Sequence, residues 1–558
     1  MRTGKVTRFE QGVARFAPLI LALAIAIAAA VAFREGRNMT FTPDEWFWVI
    51  SSPGMDLKTA FLTSTGHLQL VPRVVYKVLL EAFGTDYVWY RLLTVVALAL
   101  TVTLFYRYLS RRVGPVIALI AAIIMLFFGS DALHLIRGNG FTILLSIACG
   151  IGALLALERD DRRGDVGACL LLVLGLSTYT NALPFVAGAG VYLLIGREWK
   201  RLWVPLVPVV LYGGWKIWLG TTGPSSWGGT LHTENFVRIP AWIFDALSSI
   251  LSAITGLGYG FAETSASGPD DLIGPVLAVL FIAALVWRLS RGSIGRGIWV
   301  TLAIGATLWS IQCLASDPAF PDFRSADDTR YLYPGAIVVF MIGAELCAGK
   351  AWPRPALVAF VLVALFGLAT NFNQIIEYSK QYRLDSAGYQ RTISTYGVYL
   401  DESRGRPVDP ITEPVIGPTF DELNAAMASR PFGGISLTTD ELLALPESDR
   451  AETDSLLAGY FGISLTAGGR PTGHCAVVEK SGDGSFESVL PAGRVILETG
   501  RMGGRISLGR FADAATVDLG RIPPRAVRNL TTAEPLVDPP WRISFTRPGL
   551  KLCRPEKS

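Results

Sequence analysis

The sequence predicts a mostly α-helical, polytopic membrane protein: a bundle of about eleven spans followed by a β-rich domain outside the membrane. Three observations lead there. Apolar residues make up 51% of the 558 positions and charged residues only 17%, with a positive mean hydropathy of +0.41. Apolar runs able to cross roughly 30 Å of hydrocarbon recur through the first two thirds of the chain. From Cys475 onward the pattern changes to short alternating runs between Gly and Pro turns, the signature of strands.

The expected spans lie near 16–33, 90–109, 113–128, 141–157, 166–180, 183–195, 203–219, 272–289, 298–313, 332–346 and 356–370. The first has a basic flank, Arg2, Lys5, Arg8 and Arg15, as a signal peptide does. No small-residue cleavage site follows and further spans do, so it reads as a retained helix. Alternate connections are rich in arginine and lysine: Arg107, Arg111 and Arg112; Arg159, Arg162 and Arg163; Arg197, Lys200 and Arg201; Arg288, Arg291 and Arg296; Lys350 and Arg354. The positive-inside rule puts these connections and the N-terminus in the cytoplasm of a plasma (inner) membrane protein. The connections 34–89, 129–140, 220–271 and 315–330 and the turn at Asn181 then fall outside. An odd number of spans sends the tail from Asn371 outside as well.

Three regions follow: a transmembrane bundle (1–370), a juxtamembrane segment with a Pro-rich linker at Arg406 to Pro414 (371–415), and an extracytoplasmic accessory domain (416–558). In the last, 420–427 and 439–445 read as short helices, the second opened by Thr438 as a cap. Runs at 494–498, 505–508, 516–519 and 541–545 read as strands. Cys475 and Cys553 would lie in an oxidising compartment and could form one disulfide. The other four cysteines fall in or beside apolar spans as small buried residues. Walker-type loops, Rossmann glycines and metal-spaced His or Cys are absent from the sequence. Coupling to ATP is therefore unsupported, and basic residues that follow topology give no reason to expect nucleic acid.

The outer loops hold the chemistry. Past the first span, Thr42-Pro43-Asp44-Glu45 places an acidic pair at the mouth of the bundle, where a carboxylate needs a partner or a task. The same tetrapeptide fits a capping box with Pro at the first helical position, so Glu45 can serve the cap while Asp44 faces a cavity. Gly66 to Lys77 carries apolar residues at helical spacing beside His67, Arg73 and Lys77, and reads as a surface-lying helix. Asp131, His134, Arg137 and Asn139 occupy the second outer loop, while Arg324, Asp327, Asp328, Arg330, Tyr331 and Tyr333 precede the tenth span. An arginine in such a place is commonly an interfacial anchor. Several converging on one face suit a lipid phosphate, which guanidinium binds bidentately.

These segments resemble those of the GT-C superfamily of polytopic glycosyltransferases, which includes protein mannosyltransferases and aminoarabinose transferases. The resemblance rests on Asp44-Glu45 after the first span, on Gly66-His67-Leu68-Gln69-Leu70-Val71-Pro72-Arg73 in the same loop, and on Arg330-Tyr331-Leu332-Tyr333-Pro334 leading into a late span. It implies transfer of a sugar from a polyprenyl-phosphate donor to a cell-envelope glycan, glycolipid or protein on the outer side, with inversion. Asp44 would be the general base and Glu45 its understudy. Arg137, Arg324, Arg330, Tyr331, Arg73 and Lys77 would hold the donor phosphate, with His67 beside the acceptor. No cofactor is then required, a divalent cation being a minor alternative. A lipid-linked glycan flippase and a glycan ligase are the competing readings, although the middles of the spans are nearly free of ionisable residues.

Overall fold

The computed structural model describes residues 8–62, 66–222, 231–257, 272–291, 295–319, 324–350, 352–403, 420–429, 432, 437–468, 475–480, 486–491, 493–531 and 538–553. The Pro-rich linker and the basic residues Arg2 and Lys5 lie outside the described residues. The chain divides into two compact units, Met1–Thr40 with Met55–Leu384, and Phe41–Gly54 with Asp385–Ser558. The expected boundaries at 370 and 415 differ from this division, which falls inside one long helix and takes Phe41–Gly54 with the C-terminal unit.

The helices, in order, are α1 (Arg8–Glu35), α2 (Pro43–Ser51), α3 (Leu57–Ala60), α4 (Leu70–Phe83), α5 (Tyr87–Val113), α6 (Pro115–Leu126), α7 (Ala132–Ile136), α8 (Phe141–Leu157), α9 (Arg162–Thr178) and α10 (Leu183–Ile195). They continue with α11 (Trp203–Thr222), α12 (Ile239–Thr255), α13 (Ile273–Ser290), α14 (Arg296–Ala315), α15 (Thr329–Cys347), α16 (Arg354–Ser403), α17 (Phe420–Met427), α18 (Thr439–Leu443) and α19 (Glu447–Tyr460). Nine helices among the described residues are long and apolar enough to cross a bilayer, and ten if α6 and α7, bent by 42° at Gly129, form one crossing. This makes the chain a multi-pass membrane protein. The eleven expected spans differ from that count at specific places. α9 has 17 residues and α10 has 13, short for a straight crossing that needs about 20.

The segment Thr233–Thr255, which includes α12, is long and apolar enough to cross a bilayer, although the sequence places it in an outer connection. Its contacts explain the discrepancy. Just before α12, the His232 backbone amide donates to the Leu314 carbonyl at 2.7 Å, and Asn235 Nδ2 donates to the carbonyls of Cys313 and Ser316 at 3.0 and 2.7 Å. At its other end the Ala253 carbonyl accepts from Asn371 Nδ2 at 2.8 Å, and Asn371 Oδ1 accepts from the Ser130 amide at 2.9 Å. Both ends are thus tied to the end of the bundle that carries residues 129–140, so α12 runs along that end. Apolar length alone cannot distinguish such a helix from a crossing one.

The opposite end gathers the arginine-rich connections. Arg112 donates to Glu158 at 2.7 Å and also to Glu345, while Arg111 pairs with Glu158. Arg201 bridges to Asp160 at 2.6 Å and Asp165 at 2.6 Å, and Arg296 to Glu198 at 2.9 Å. Between the two ends α8 is almost wholly buried, whereas α13 and the apolar half of α16 expose Val, Leu and Phe side chains suited to lipid.

In the second unit the last 19 residues of α16 continue the helix as far as Ser403, through most of the region 371–415 expected as a juxtamembrane segment and linker. Tyr396 and Tyr399 pack on Tyr460 of α19 with ring centroids 5.4 and 5.8 Å apart, which gives the polar-looking segment an apolar face to bury. Among the described residues nine strands follow: β1 (Leu465–Ala467), β2 (Cys475–Val477), β3 (Phe486–Val489), β4 (Arg494–Thr499), β5 (Gly504–Gly509), β6 (Val517–Ile522), β7 (Val527–Thr531), β8 (Arg542–Phe545) and β9 (Leu550–Cys553). They form two antiparallel sheets, ordered β1-β7-β4-β9-β2 and β3-β8-β5-β6. β2 and β9 pair with Cys475 opposite Cys553, and these two cysteines form a disulfide. The Asp454 carboxylate of α19 accepts the amides of Arg510, Phe511 and Ala512 at 2.7, 2.9 and 3.1 Å. Arg510, with its guanidinium buried, bridges to Glu402 on α16. Helices and sheets are thereby joined by charge-assisted hydrogen bonds.

Candidate functional site

In the first unit, His67, Arg324, Arg330 and Tyr331 line one pocket together with Tyr179, Thr180, Asn181, Pro184, Leu308, Ile311, Gln312 and Ala315. It lies at the end of the bundle that carries α12 and residues 129–140. Its volume is about 80 Å³, enough for a phosphate-sized group or a few waters, since water in the liquid takes ~30 Å³.

Each wall has a local cause. The loop carrying His67 is held by α11: Lys216 Nζ donates to the Gly66 carbonyl at 2.9 Å and Trp215 Nε1 to the Phe61 carbonyl at 2.9 Å. His67 Nδ1 lies 2.8 Å from Thr180 Oγ1, and the imidazole packs on Tyr179 with centroids 4.5 Å apart. Burial first, then the positive charges of Arg324 and Lys216, push the His67 pKa down to about 3. The imidazole is therefore neutral at ordinary pH.

Arg324 follows the end of α14, with its Nη1 on the Ala315 carbonyl at 3.2 Å and its own carbonyl accepting Ser316 Oγ at 2.8 Å. Asp328 caps α15 by accepting the Arg330 amide at 3.2 Å, and its carboxylate also holds Arg330 Nε at 2.8 Å. That double contact fixes Arg330 at the start of α15. One turn further in, the Tyr333 amide donates to Asp131 Oδ2 at 3.1 Å, and His134 Nδ1 reaches the same oxygen at 2.8 Å. The buried Asp131 and His134 thus clamp the second loop to α15 and act on the pocket only by placing that helix.

Gln312 of α14 is 6% exposed, and among the described residues both ends of its amide lack a hydrogen-bond partner. A buried amide left unsatisfied costs about 1–3 kcal/mol, so one that lines a pocket is poised for a ligand. Nothing in the sequence marks this residue, because a glutamine inside an apolar span reads like any other interruption. Tyr179 and Thr180 are equally unmarked in the sequence, where only the turn at Asn181 stands out.

The remaining residues named from sequence lie apart from this lining. Arg137 stacks on Tyr382, its guanidinium carbon 4.0 Å from the ring centroid. Arg73 is 5% exposed and donates to the Leu62 carbonyl at 2.9 Å and to that of Thr59, which ends the α3 segment. Lys77 pairs with Glu81 one turn along α4 at 3.2 Å. In the second unit, Thr42 caps α2: the backbone amide and hydroxyl of Thr42 donate to Glu45 Oε2 at 2.9 and 2.8 Å. Glu45 is fully buried in that cap and Phe41 packs edge-on against Trp46 at 4.9 Å, whereas Asp44 is exposed in the first turn. No group of three His, Cys, Asp or Glu side chains among the described residues could hold a metal ion.

Fold and pocket together define a multi-pass membrane protein with a cationic pocket at one end of its helix bundle and a disulfide-bonded β-rich domain at its C-terminus. The fold is similar to that in the crystal structure of ArnT from Cupriavidus metallidurans bound to undecaprenyl phosphate, at 13% identity and a TM-score of 0.40, over 72% of this chain and 84% of that one. No family model and no curated protein matches the sequence.

Proposed function

We propose that the protein is a membrane glycosyltransferase that moves a sugar from a polyprenyl-phosphate donor to an acceptor hydroxyl of the cell envelope. The observation that carries this reading is the pocket in which Arg324, Arg330 and the unpaired amide of Gln312 meet beside the neutral imidazole of His67, at the end of apolar helices. A ligand suited to it is anionic at one end and can lie along hydrocarbon at the other, as a lipid phosphate does. A neutral His67 adds hydrogen-bonding capacity without adding charge, and leaves the potential to Arg324 and to Arg330 with its Asp328 counter-ion.

In the proposed reaction the acceptor oxygen attacks the anomeric carbon, the bond to the phosphate oxygen breaks, and the electron pair leaves on the lipid phosphate. Arg324 and Arg330 stabilise that anion, which needs charge more than a proton. The acceptor proton passes to a general base, the role that the sequence resemblance gives to Asp44. Transfer by direct displacement inverts the anomeric centre. The arginine-rich end is assigned to the cytoplasm by the positive-inside rule, and the pocket and tail to the outside; the Cys475–Cys553 disulfide suits that compartment.

The test is sugar transfer in proteoliposomes holding the full chain, with radiolabelled polyprenyl monophosphate sugar and an envelope extract as acceptor, without ATP or an ion gradient. Labelled product from the monophosphate donor is expected. Product only from diphosphate donors would make the protein a glycan ligase, and donor movement across the bilayer without product would make it a flippase.

A further inference from the structure

A second cavity lies away from the pocket, on the flank of the bundle between α5, α8 and α9. It is an apolar crevice of about 480 Å³ whose walls include Leu100 and Leu104 of α5, Ala148 and Gly152 of α8, and Leu171 of α9. Gly152 lets two of these leucines pack against the α8 wall: a Cβ there would meet Leu171 Cδ1 at 3.3 Å and Leu104 Cδ1 at 3.7 Å. From Leu100 to Arg111 the crevice follows α5 for roughly 16 Å, at 1.5 Å rise per residue. Arg107, Arg111 and Arg159 line its arginine-rich end.

We propose that this crevice binds an anionic glycerophospholipid of the adjoining leaflet, with an acyl chain along the leucines and the head-group phosphate on Arg107 and Arg111. Charge decides the occupant. The side chains of Arg111 and Arg159 are 41% and 61% exposed, and the exposed Arg107 makes no side-chain hydrogen bond or ion pair among the described residues. Glu158 is shared between Arg111 and Arg112, and Asp161 takes Arg159 at 3.1 Å, so the mouth retains positive charge. Basic pockets between membrane helices recognise anionic head groups in this way. A lipid with a zwitterionic head would place a second cation against the arginines. The site is independent of the transferase reading, because neither its residues nor its end of the bundle belong to the pocket around His67.

The test uses the full chain in detergent, incubated with equimolar phosphatidylglycerol and phosphatidylcholine of identical acyl chains and read by native mass spectrometry. Wild-type protein is expected to retain phosphatidylglycerol over phosphatidylcholine by roughly fivefold or more. Arg107→Gln should bring the ratio toward one. Leu100→Trp, at a position 43% exposed and so outside the core, should lower retention of both lipids by blocking the crevice. Equal retention of the two lipids by the wild type overturns the proposal. So does a lipid-free dimer, or a folded Leu100→Trp variant with unchanged retention.

Discussion

His67 Nδ1 and Thr180 Oγ1 meet at 2.8 Å across 113 residues of sequence. The contact joins the first loop to the turn between α9 and α10, and it holds the imidazole in the lining it shares with Arg324. A protonated ring there would face two cations and little water, which is why its pKa falls to about 3 from 6.5.

The sign of the pH effect follows. Between those two values the unfolded chain binds a proton at this histidine that the native chain does not, so native stability should fall as pH drops through 6.5 toward 3. The slope from this one group is at most about 1.4 kcal/mol per pH unit. Thermal unfolding in detergent between pH 4 and 7 should show a shallower decline for His67→Gln than for the wild type. Identical slopes would mean that His67 ionises in the native protein as it does in water.

Arg330 is expected to act on the donor. Loss of a charge-assisted hydrogen bond costs about 1.5–3 kcal/mol, so Arg330→Ala should raise the apparent KM for the lipid donor by roughly ten- to a hundredfold. The acceptor KM should change little. Equal changes in both would argue that the residue shapes α15 through Asp328 and does not touch phosphate.

Gln312→Leu separates ligand binding from folding. It removes a buried amide without partners, so melting temperature should hold or rise, while donor affinity falls by about fivefold for a neutral hydrogen bond worth ~1 kcal/mol. A lower melting temperature with unchanged affinity would show that the amide supports the helix packing.

Asp44→Asn should reduce transfer by roughly a hundredfold to ten-thousandfold, the usual worth of general-base catalysis, measured on protein whose melting curve matches that of the wild type. Full turnover would remove Asp44 from the role. Glu45→Gln is the informative companion, since it perturbs the α2 cap and should lower stability as well as rate.

The Cys475–Cys553 bridge closes a separation of 78 residues. Replacing both with serine should destabilise the β-rich unit by about 2–5 kcal/mol. Limited proteolysis of the full chain should then release the C-terminal region first. Unchanged protease resistance would show that the two sheets hold without the crosslink.

Much of the architecture is legible in composition and periodicity, because a chain in hydrocarbon must satisfy its backbone within helices and must hide or pair its charges. The apolar runs that became α5, α8, α14 and α15, the strands near 494–499, 504–509 and 542–545, and the helix at 420–427 all follow from local pattern alone. α19 escaped because its 14 residues are polar on most faces and gain their order from Asp454 and Tyr460. The course of α12 escaped because hydropathy measures length, not direction.

The site divides along the same line. Residue types set its chemistry: arginines before a late span, a histidine in the first loop and an acid pair over a helix start are all visible one residue at a time. Tertiary structure alone decided that Arg324, Arg330 and His67 share a pocket with Gln312 while Arg73 and Lys77 are spent on a loop carbonyl and a neighbouring turn. The physical reason is that propensity and hydropathy act over a few residues, whereas an electrostatic site is defined by distances between side chains from α14, α15 and loops far apart in the chain, which only packing can set.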